Sequence, residues 1–321
     1  MKVIITGGCG FIGANLVKYL AGRGIMVRVL DNLSTCSRQF ACSGAADGKT
    51  RNPGLDLVVG DIRDKEVVNS SVQGMDAIVH LAAHTGIVKS LENPAENFDI
   101  NVAGTVNVLE ACRRNGVGKF IFASSNAAVG QQVPPVDELK LPKPISPYGA
   151  AKLAGEALCS AYYQSYGIKT AALRFAGCYG PYSEHKTSVV ISFMKMVKEG
   201  KPVTIYGDGN QTRDFIHVED VCQAIYLCLA KPEAQVDPQD CWGAVFQVAT
   251  GVETTINRLV AIIGEITGKS IQVVHQPERK GEIRRNYSDI SKAGAVLGFK
   301  PVVTLQQGLR DLSEWLNKAN K

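Results

Sequence analysis

The sequence has no CxxC pair and no Cys/His spacing of the kind that holds a metal, so neither a zinc ribbon nor a dithiol redox centre is expected. Its nine cysteines (Cys9, Cys36, Cys42, Cys112, Cys159, Cys178, Cys222, Cys228 and Cys241) are scattered and read as reduced thiols, mostly small core residues. No apolar run approaches the roughly 18–20 residues that span a bilayer, so no membrane partner is expected. No block of like charge stands out. The formal net charge of +5 is diffuse, which suits small anionic substrates and offers no stripe for nucleic acid. There are no internal repeats. Met1-Lys2-Val3-Ile4-Ile5 runs straight into a glycine loop and does not read as a signal peptide, so a cytoplasmic protein is expected.

What is present is an ordinary globular composition, 45% hydrophobic and 20% charged over 321 residues. That length suits one large domain, or a large domain with a smaller companion. Short β-branched runs alternate with longer helical patterns. Strands are predicted at Lys2–Thr6, Met26–Leu30, Leu55–Val59, Ala77–Leu81, Lys119–Ser124 and Lys169–Phe175. Helices are predicted at Phe11–Gly22, Asp64–Gln73, Pro94–Asn115 and Pro147–Tyr166. This alternation implies an α/β fold, a doubly wound parallel sheet of the Rossmann type covered on both faces. Beyond about residue 176 glycine and proline become frequent and the elements shorten, although Ala244–Ala249 reads as a strand able to rejoin the sheet. The expected division is a dinucleotide-binding domain over 1–175 plus about 214–250. A smaller, interleaved C-terminal substrate domain takes 176–213 and 251–321. The polar stretch 34–54 reads as a mobile surface loop.

The glycine loop Gly7-Gly8-Cys9-Gly10-Phe11-Ile12-Gly13 follows a strand and opens a helix. Gly7 permits a tight turn, Gly10 lets backbone approach a pyrophosphate, and Gly13 lets helix pack on strand. The helix N-terminus then stabilises phosphate charge. Asp31 ends the next strand, close to the ~20-residue spacing of a ribose-binding carboxylate. A carboxylate there repels a 2′-phosphate, and Asn32 and Leu33 supply no arginine, so NAD is favoured over NADP. Asp61, in Gly60-Asp61-Ile62, follows the third strand and can reach the adenine amine; read alone it suits a helix N-cap. Leu81-Ala82-Ala83, after the fourth strand, are small enough for close approach to the dinucleotide.

Tyr148 and Lys152 are spaced to share one face of a helix. Lys152 is expected to hold Tyr148 near its phenolate form, which makes the tyrosine a general base near neutral pH. Ser125 lies just past a strand, at the carboxyl edge where open sheets bind ligands, and its hydroxyl can bond the same substrate oxygen.

Thr6–Gly13, Asp31-Asn32-Leu33-Ser34, Gly60–Asp64, His80–Ala83, Asn101–Thr105, Tyr148…Lys152 and Arg213–Val218 recur in an order that resembles the extended short-chain dehydrogenases, in particular the nucleotide-sugar epimerases and dehydratases. The resemblance covers essentially the whole chain. It implies a retained NAD and Tyr148 as base. It places Lys152 on the nicotinamide ribose, and Asn101, Phe11, Ile12, Ser34 and Ile62 in the cofactor site. It implies Arg213 and Arg279 on a nucleotide diphosphate, for which arginine's bidentate fork is suited. Read without it, each arginine is a solvated surface charge. Two positions depart from the family's usual pattern: Ala128-Val129-Gly130 replaces Val-Tyr-Gly, and Gly177 replaces a substrate-touching asparagine. Asn286 lies where some relatives carry a bulky residue beside the sugar C2 substituent.

The resemblance also separates reactions. Family dehydratases carry an Asp-Glu pair after the strand-end serine or threonine, and decarboxylases a glutamate at the second position. Here Asn126 and Ala127 follow Ser125. The expectation is an NAD-dependent 4-epimerase of UDP-hexose, UDP-N-acetylhexosamine or UDP-hexuronate, working through a 4-keto intermediate. The alternatives are another sugar-modifying oxidoreductase, such as a keto-sugar reductase or dehydratase, or a non-catalytic NAD-binding regulator. Helices Pro94–Asn115 and Pro147–Tyr166 carry apolar residues on more than one face, and in the family they form a homodimer interface.

Overall fold

The structure is a computed structural model and describes residues 1–35, 55–231, 241–278 and 283–318. Most of the polar stretch 34–54 falls outside the described residues, as does Arg279. Along the chain run β1 (Lys2–Thr6), α1 (Phe11–Ala21), β2 (Met26–Asp31), β3 (Leu55–Val59), α2 (Lys65–Val72), β4 (Ala77–His80), α3 (Ile87–Glu92), α4 (Pro94–Phe98), α5 (Gly104–Arg114), β5 (Lys119–Ser125), α6 (Pro147–Tyr166) and β6 (Lys169–Phe175). Next come β7 (Gly177–Tyr179), α7 (Val189–Lys198), β8 (Val203–Tyr206), β9 (Thr212–Arg213), β10 (Phe215–His217), α8 (Val218–Ala230), β11 (Ala244–Val248), β12 (Thr254–Thr255), α9 (Ile256–Thr267), β13 (Val273–Gln276) and α10 (Leu305–Lys318).

Seven strands form one sheet in the order β11-β6-β5-β4-β1-β2-β3, and every neighbouring pair is parallel. Strands follow one another outward on either side of β1, so the β1–β4 boundary is a topological switch point where a crevice opens at the carboxyl edge. Central strands covered on both faces need apolar residues at consecutive positions, which Val3, Ile4 and Ile5 supply, all fully buried. On one face Val17 and Leu20 of α1 pack with Val221 and Ile225 of α8. On the other, Val68, Val72, Val108, Leu109 and Cys159 pack over Ile4, Ile78 and Phe120. A further apolar cluster, including Ile191, Phe193, Leu259, Ile263, Leu309 and Leu312, joins α7, α9 and α10.

The expected elements form with ends moved by a residue or two, and one differs in kind. The long helix predicted over Pro94–Asn115 is interrupted by a π-helical turn at Asp99–Ala103. Asn101, in that turn, is buried and holds both backbone groups of His84: its Oδ1 accepts from His84 N at 2.8 Å, and its Nδ2 donates to His84 O at 3.0 Å. The side-chain grip is made where the regular ladder is relaxed, a common use of such turns.

Helix α6 begins at Ser146, whose hydroxyl accepts from Gly149 N at 3.1 Å, with Pro147 in the first turn, and ends at Gly167 in the left-handed region. Two turns along α6 from Tyr148, Glu156 makes a buried pair with Arg174 of β6. Arg174 Nε donates to Glu156 Oε1 at 2.8 Å and Nη2 to Oε2 at 2.7 Å, while Ser124 Oγ of β5 donates to Oε1 at 2.5 Å. Removing one partner leaves an uncompensated buried charge. Arg174→Met is therefore expected to cost about 3–5 kcal/mol, and Arg174→Met with Glu156→Met together much less. Urea unfolding of both variants measures this, and a single-variant loss below about 1 kcal/mol would refute it.

His80 ends β4 between Phe120 and Phe122, with Nδ1 2.6 Å from Thr6 Oγ1 and Nε2 3.0 Å from Thr105 Oγ1. Burial, reinforced by the Lys152 charge, lowers its pKa to about 3. The unfolded chain therefore binds a proton that the fold refuses between about 6.5 and 3. This contribution to stability is complete above about pH 6.5 and is lost as pH falls. A His80→Gln variant should show a shallower fall in unfolding free energy over that window; an unchanged slope would exclude the effect.

Candidate active site

A cavity of about 380 Å³ crosses the carboxyl ends of the sheet strands. Its floor is the glycine loop. Gly7 has a φ of +72°, and a Cβ on it would stand 2.7 Å from Ala82 N; one on Gly13 would stand 2.3 Å from Gly7 O. The loop therefore closes only without side chains at these two positions. α1 begins at Gly10 with no side-chain cap and no acidic residue in its first turn. Its leading amides are left for an anion in the cavity, and the dipole adds to that preference. Gly7, Gly10, Phe11, Ile12, Gly13, Leu81, Ala82 and Ala83 all line the wall.

At the β2–β3 end, Asp31 Oδ2 accepts from Cys9 N at 2.9 Å and Oδ1 from Leu33 N at 2.8 Å. Burial raises its pKa against these two bonds, which lower it. Asp61 does not cap the following helix; Asp64 does, accepting from Glu66 N and Val67 N. Asp61 is instead gripped by Arg63, with Nε 3.0 Å from Oδ1 and Nη2 2.9 Å from Oδ2, and it also accepts from Asn32 Nδ2 at 2.9 Å. The Arg63 bonds hold its carboxyl well below the usual carboxylate range. Asn32, Ser34 and Ile62 line the same end. The uncapped helix start, the side-chain-free cradle and this carboxylate-bearing end fit a dinucleotide with its adenosine over β2 and its diphosphate over α1.

At the opposite end, Ser125 closes β5, its Oγ accepts from Ala127 N at 3.2 Å, and it is near enough to the Tyr148 hydroxyl to lower that group's pKa. Tyr148 and Lys152 share one face of α6 and both line the cavity. Their electrostatics differ from the expectation that Lys152 draws Tyr148 toward phenolate. Lys152 Nζ turns to Ala123 O at 2.7 Å and stands 5.9 Å from the centre of the Tyr148 ring. Burial raises the Tyr148 pKa, and Ser125 offsets part of the rise. Burial, aided by the nearby Lys186 charge, lowers Lys152 to about 8.

Five expected residues stand off the cavity wall or outside the described residues, among them Ser125, whose neighbours Ala123 and Ser124 line the wall. Asn101 lies behind the wall, shaping it through His84. Arg213 Nη1 donates to Thr212 O and Ile283 O, each at 2.7 Å, which turns that nitrogen to the backbone. Gly177 sits in β7 beside β10, where a Cβ would lie 2.9 Å from Asp214 O, so the backbone would have to shift for the asparagine usual there. Arg279 lies outside the described residues. Val129, the other departure, is fully buried. Conversely, His84, Thr85, Lys89, Glu96, His185 and Lys186 line the cavity without having been expected. Two of them, Thr85 and Lys186, meet across 101 residues of sequence, and no local periodicity marks that meeting.

The pattern of the NAD dependent epimerase/dehydratase family matches residues 3–248, and the chain belongs to that family. A UDP-glucose 4-epimerase of Mycolicibacterium smegmatis is 32% identical over 326 residues, covering 100% of both chains. A dTDP-glucose 4,6-dehydratase of Streptomyces niveus is 33% identical over 324 residues, 98% of this chain and 92% of that one. The structure of UDP-glucose 4-epimerase from Thermotoga maritima with UDP-glucose superposes with a TM-score of 0.89 at 34% identity, covering 100% of both chains. NAD is the cofactor of the family, and its enzymes modify nucleotide sugars. Among the described residues there is no group of three or more metal-ligating side chains, and no helix is long and apolar enough to cross a membrane.

Gly13→Ala places a methyl group against backbone and not against a flexible side chain. It is expected to cut bound NAD per protomer at least tenfold, read from the absorbance released on denaturation. Wild-type NAD content in a folded variant would refute the assignment of this cradle.

Proposed function

We propose that this enzyme interconverts nucleotide-diphosphate sugars at C4, an epimerase and not a dehydratase. The observation that carries the reading is the absence, among the described residues, of acid–base carboxylates directly after Ser125 and beside Tyr148. The next side chains are Asn126, whose Nδ2 donates to Ser288 Oγ at 3.1 Å, and Ala127. Elimination of water needs an acid and a base there; reversible oxidation at C4 does not.

NAD, when bound, supplies the reversible oxidation of the C4 carbinol to a ketone. Ser125 and Tyr148 orient the sugar O4; Tyr148 takes the O4 proton and later returns it. Burial makes phenolate costly, so Tyr148 ionises only with a compensating charge nearby. Lys152, one helical turn away, supplies that charge and faces the ribose of the cofactor. Asp31 accepts from the adenosine ribose hydroxyls and opposes a 2′-phosphate, Asp61 faces the adenine, and Asn101 keeps the His84 segment in place. Residues 1–175 with about 214–250 form the NAD-binding part, and 176–213 with 251–321 the substrate-binding part, where Arg213 and Arg279 serve the diphosphate. The solvent-facing Phe98 and Tyr166, 45% and 55% exposed, suit a homodimer formed through α4–α5 and α6.

Incubation with UDP-glucose, UDP-N-acetylglucosamine and UDP-glucuronate, without added NAD, should convert at least one to its 4-epimer. Tyr148→Phe should slow that conversion by about 10²–10⁴-fold. A 4-keto-6-deoxy product, or no epimer from any of the three, would overturn the reading.

A further inference from the structure

The sugar end of the cavity carries an excess of positive charge that the reaction at C4 does not require. Lys186 reaches the wall from the turn after β7 and Lys89 from α3, in addition to the Lys152 of α6 that the reaction uses. Lys186 is partly withdrawn from water, and its Nζ donates to Thr85 Oγ1 at 3.1 Å. An ammonium has three donors, so it retains capacity for a ligand. Its charge is felt at Lys152 and at His185, and Lys89 acts on it in turn. The cations therefore stand near one another and near the reacting carbon.

The carboxylates on the wall do not answer them. Asp31 and Asp61 lie at the adenosine end, and Asp61 is taken by Arg63. Glu96 Oε2 accepts from Asn93 Nδ2 at 3.1 Å, at the start of its own helix. Glu184 flanks His185 without lining the cavity. Two imidazole nitrogens on the wall, His84 Nδ1 and His185 Nδ1, are buried and have no hydrogen-bond partner among the described residues. A half-buried ammonium such as that of Lys186 and buried unpartnered polar atoms are costly unless a ligand completes them.

A sugar whose O4 meets Tyr148 carries its C5 substituent on the neighbouring carbon. A neutral hydroxymethyl group there leaves the lysine cluster uncompensated. A carboxylate neutralises it and accepts charge-assisted hydrogen bonds. We infer that Lys186, with His185 and His84 beside it, forms a subsite for the C6 carboxylate of a nucleotide-linked hexuronate, and that Lys186 determines specificity for acidic over neutral sugars. This rests on the epimerase reading above for the placement of C4.

The test compares UDP-glucuronate with UDP-glucose, which share their nucleotide and diphosphate, so effects on those parts cancel in the ratio. Wild-type kcat/KM should favour UDP-glucuronate at least tenfold. Lys186→Met should lower that ratio at least tenfold, and Lys186→Arg should restore most of it. A ratio unmoved by Lys186→Met, or a wild-type preference for UDP-glucose, would overturn the inference. If neither of these two sugars is epimerised, the ratio has no value, and the reaction assignment falls as well only when UDP-N-acetylglucosamine also gives no epimer. Calorimetric titration of the NAD-loaded protein then decides the subsite: tighter binding of UDP-glucuronate than of UDP-glucose, lost in Lys186→Met, supports it, and equal binding rejects it.

Discussion

The buried pair between Glu156 and Arg174 fixes the geometry on which the sugar end of the cavity depends. It joins three elements at one point: α6, which carries Tyr148 and Lys152; β5, which ends in Ser124 and Ser125; and β6, which supplies the arginine. Because both partners are almost fully withdrawn from water, neither can leave without stranding the other. The separation between the strand-end serine and the helix-borne tyrosine is thus set by a charged bolt behind the wall. The groups on the wall itself are free to be chosen for chemistry.

The adenosine end is governed by closeness instead of charge. Gly13 must let α1 approach the loop to a distance that excludes a methyl group, and this closeness aims the uncapped amides of α1 into the cavity. Asp31 braces the same loop through Cys9 N, so one carboxylate both shapes the cradle and faces it. Charged groups there are matched locally, Asp61 with Arg63, whereas those at the sugar end are left to be matched by what binds.

The sheet was legible because its strands are consecutive apolar runs such as Val3-Ile4-Ile5, a pattern that only strands covered on both faces require. Tyr148 and Lys152 were legible because helical spacing is a local property. The π-helical turn at Asp99–Ala103 was not, since the residues that favour it lie at His84, far from the helix in sequence. Lys186 escaped for the same reason: it sits in an irregular turn and gains meaning only beside Thr85 and Lys152. For Arg213 the residue type suggested a ligand contact, whereas the donation of its Nη1 to two backbone carbonyls was not legible. Spacing along a helix says nothing of burial, which dominates at the Tyr148 hydroxyl and raises its pKa.

The π-helical turn separates two requirements that usually coincide. Such a turn holds one residue more than the α-helix on either side needs, while the flanking turns keep their facing. Deleting a single residue within Asp99–Ala103 would let the helix close into a continuous one, with Val108 and Leu109 still against the sheet. The grip of Asn101 on His84 would be lost with it. This segment is a place where the chain can shorten by one residue and keep its fold while losing the shape of its cavity. Length variation here would mark a change of ligand and not a change of architecture.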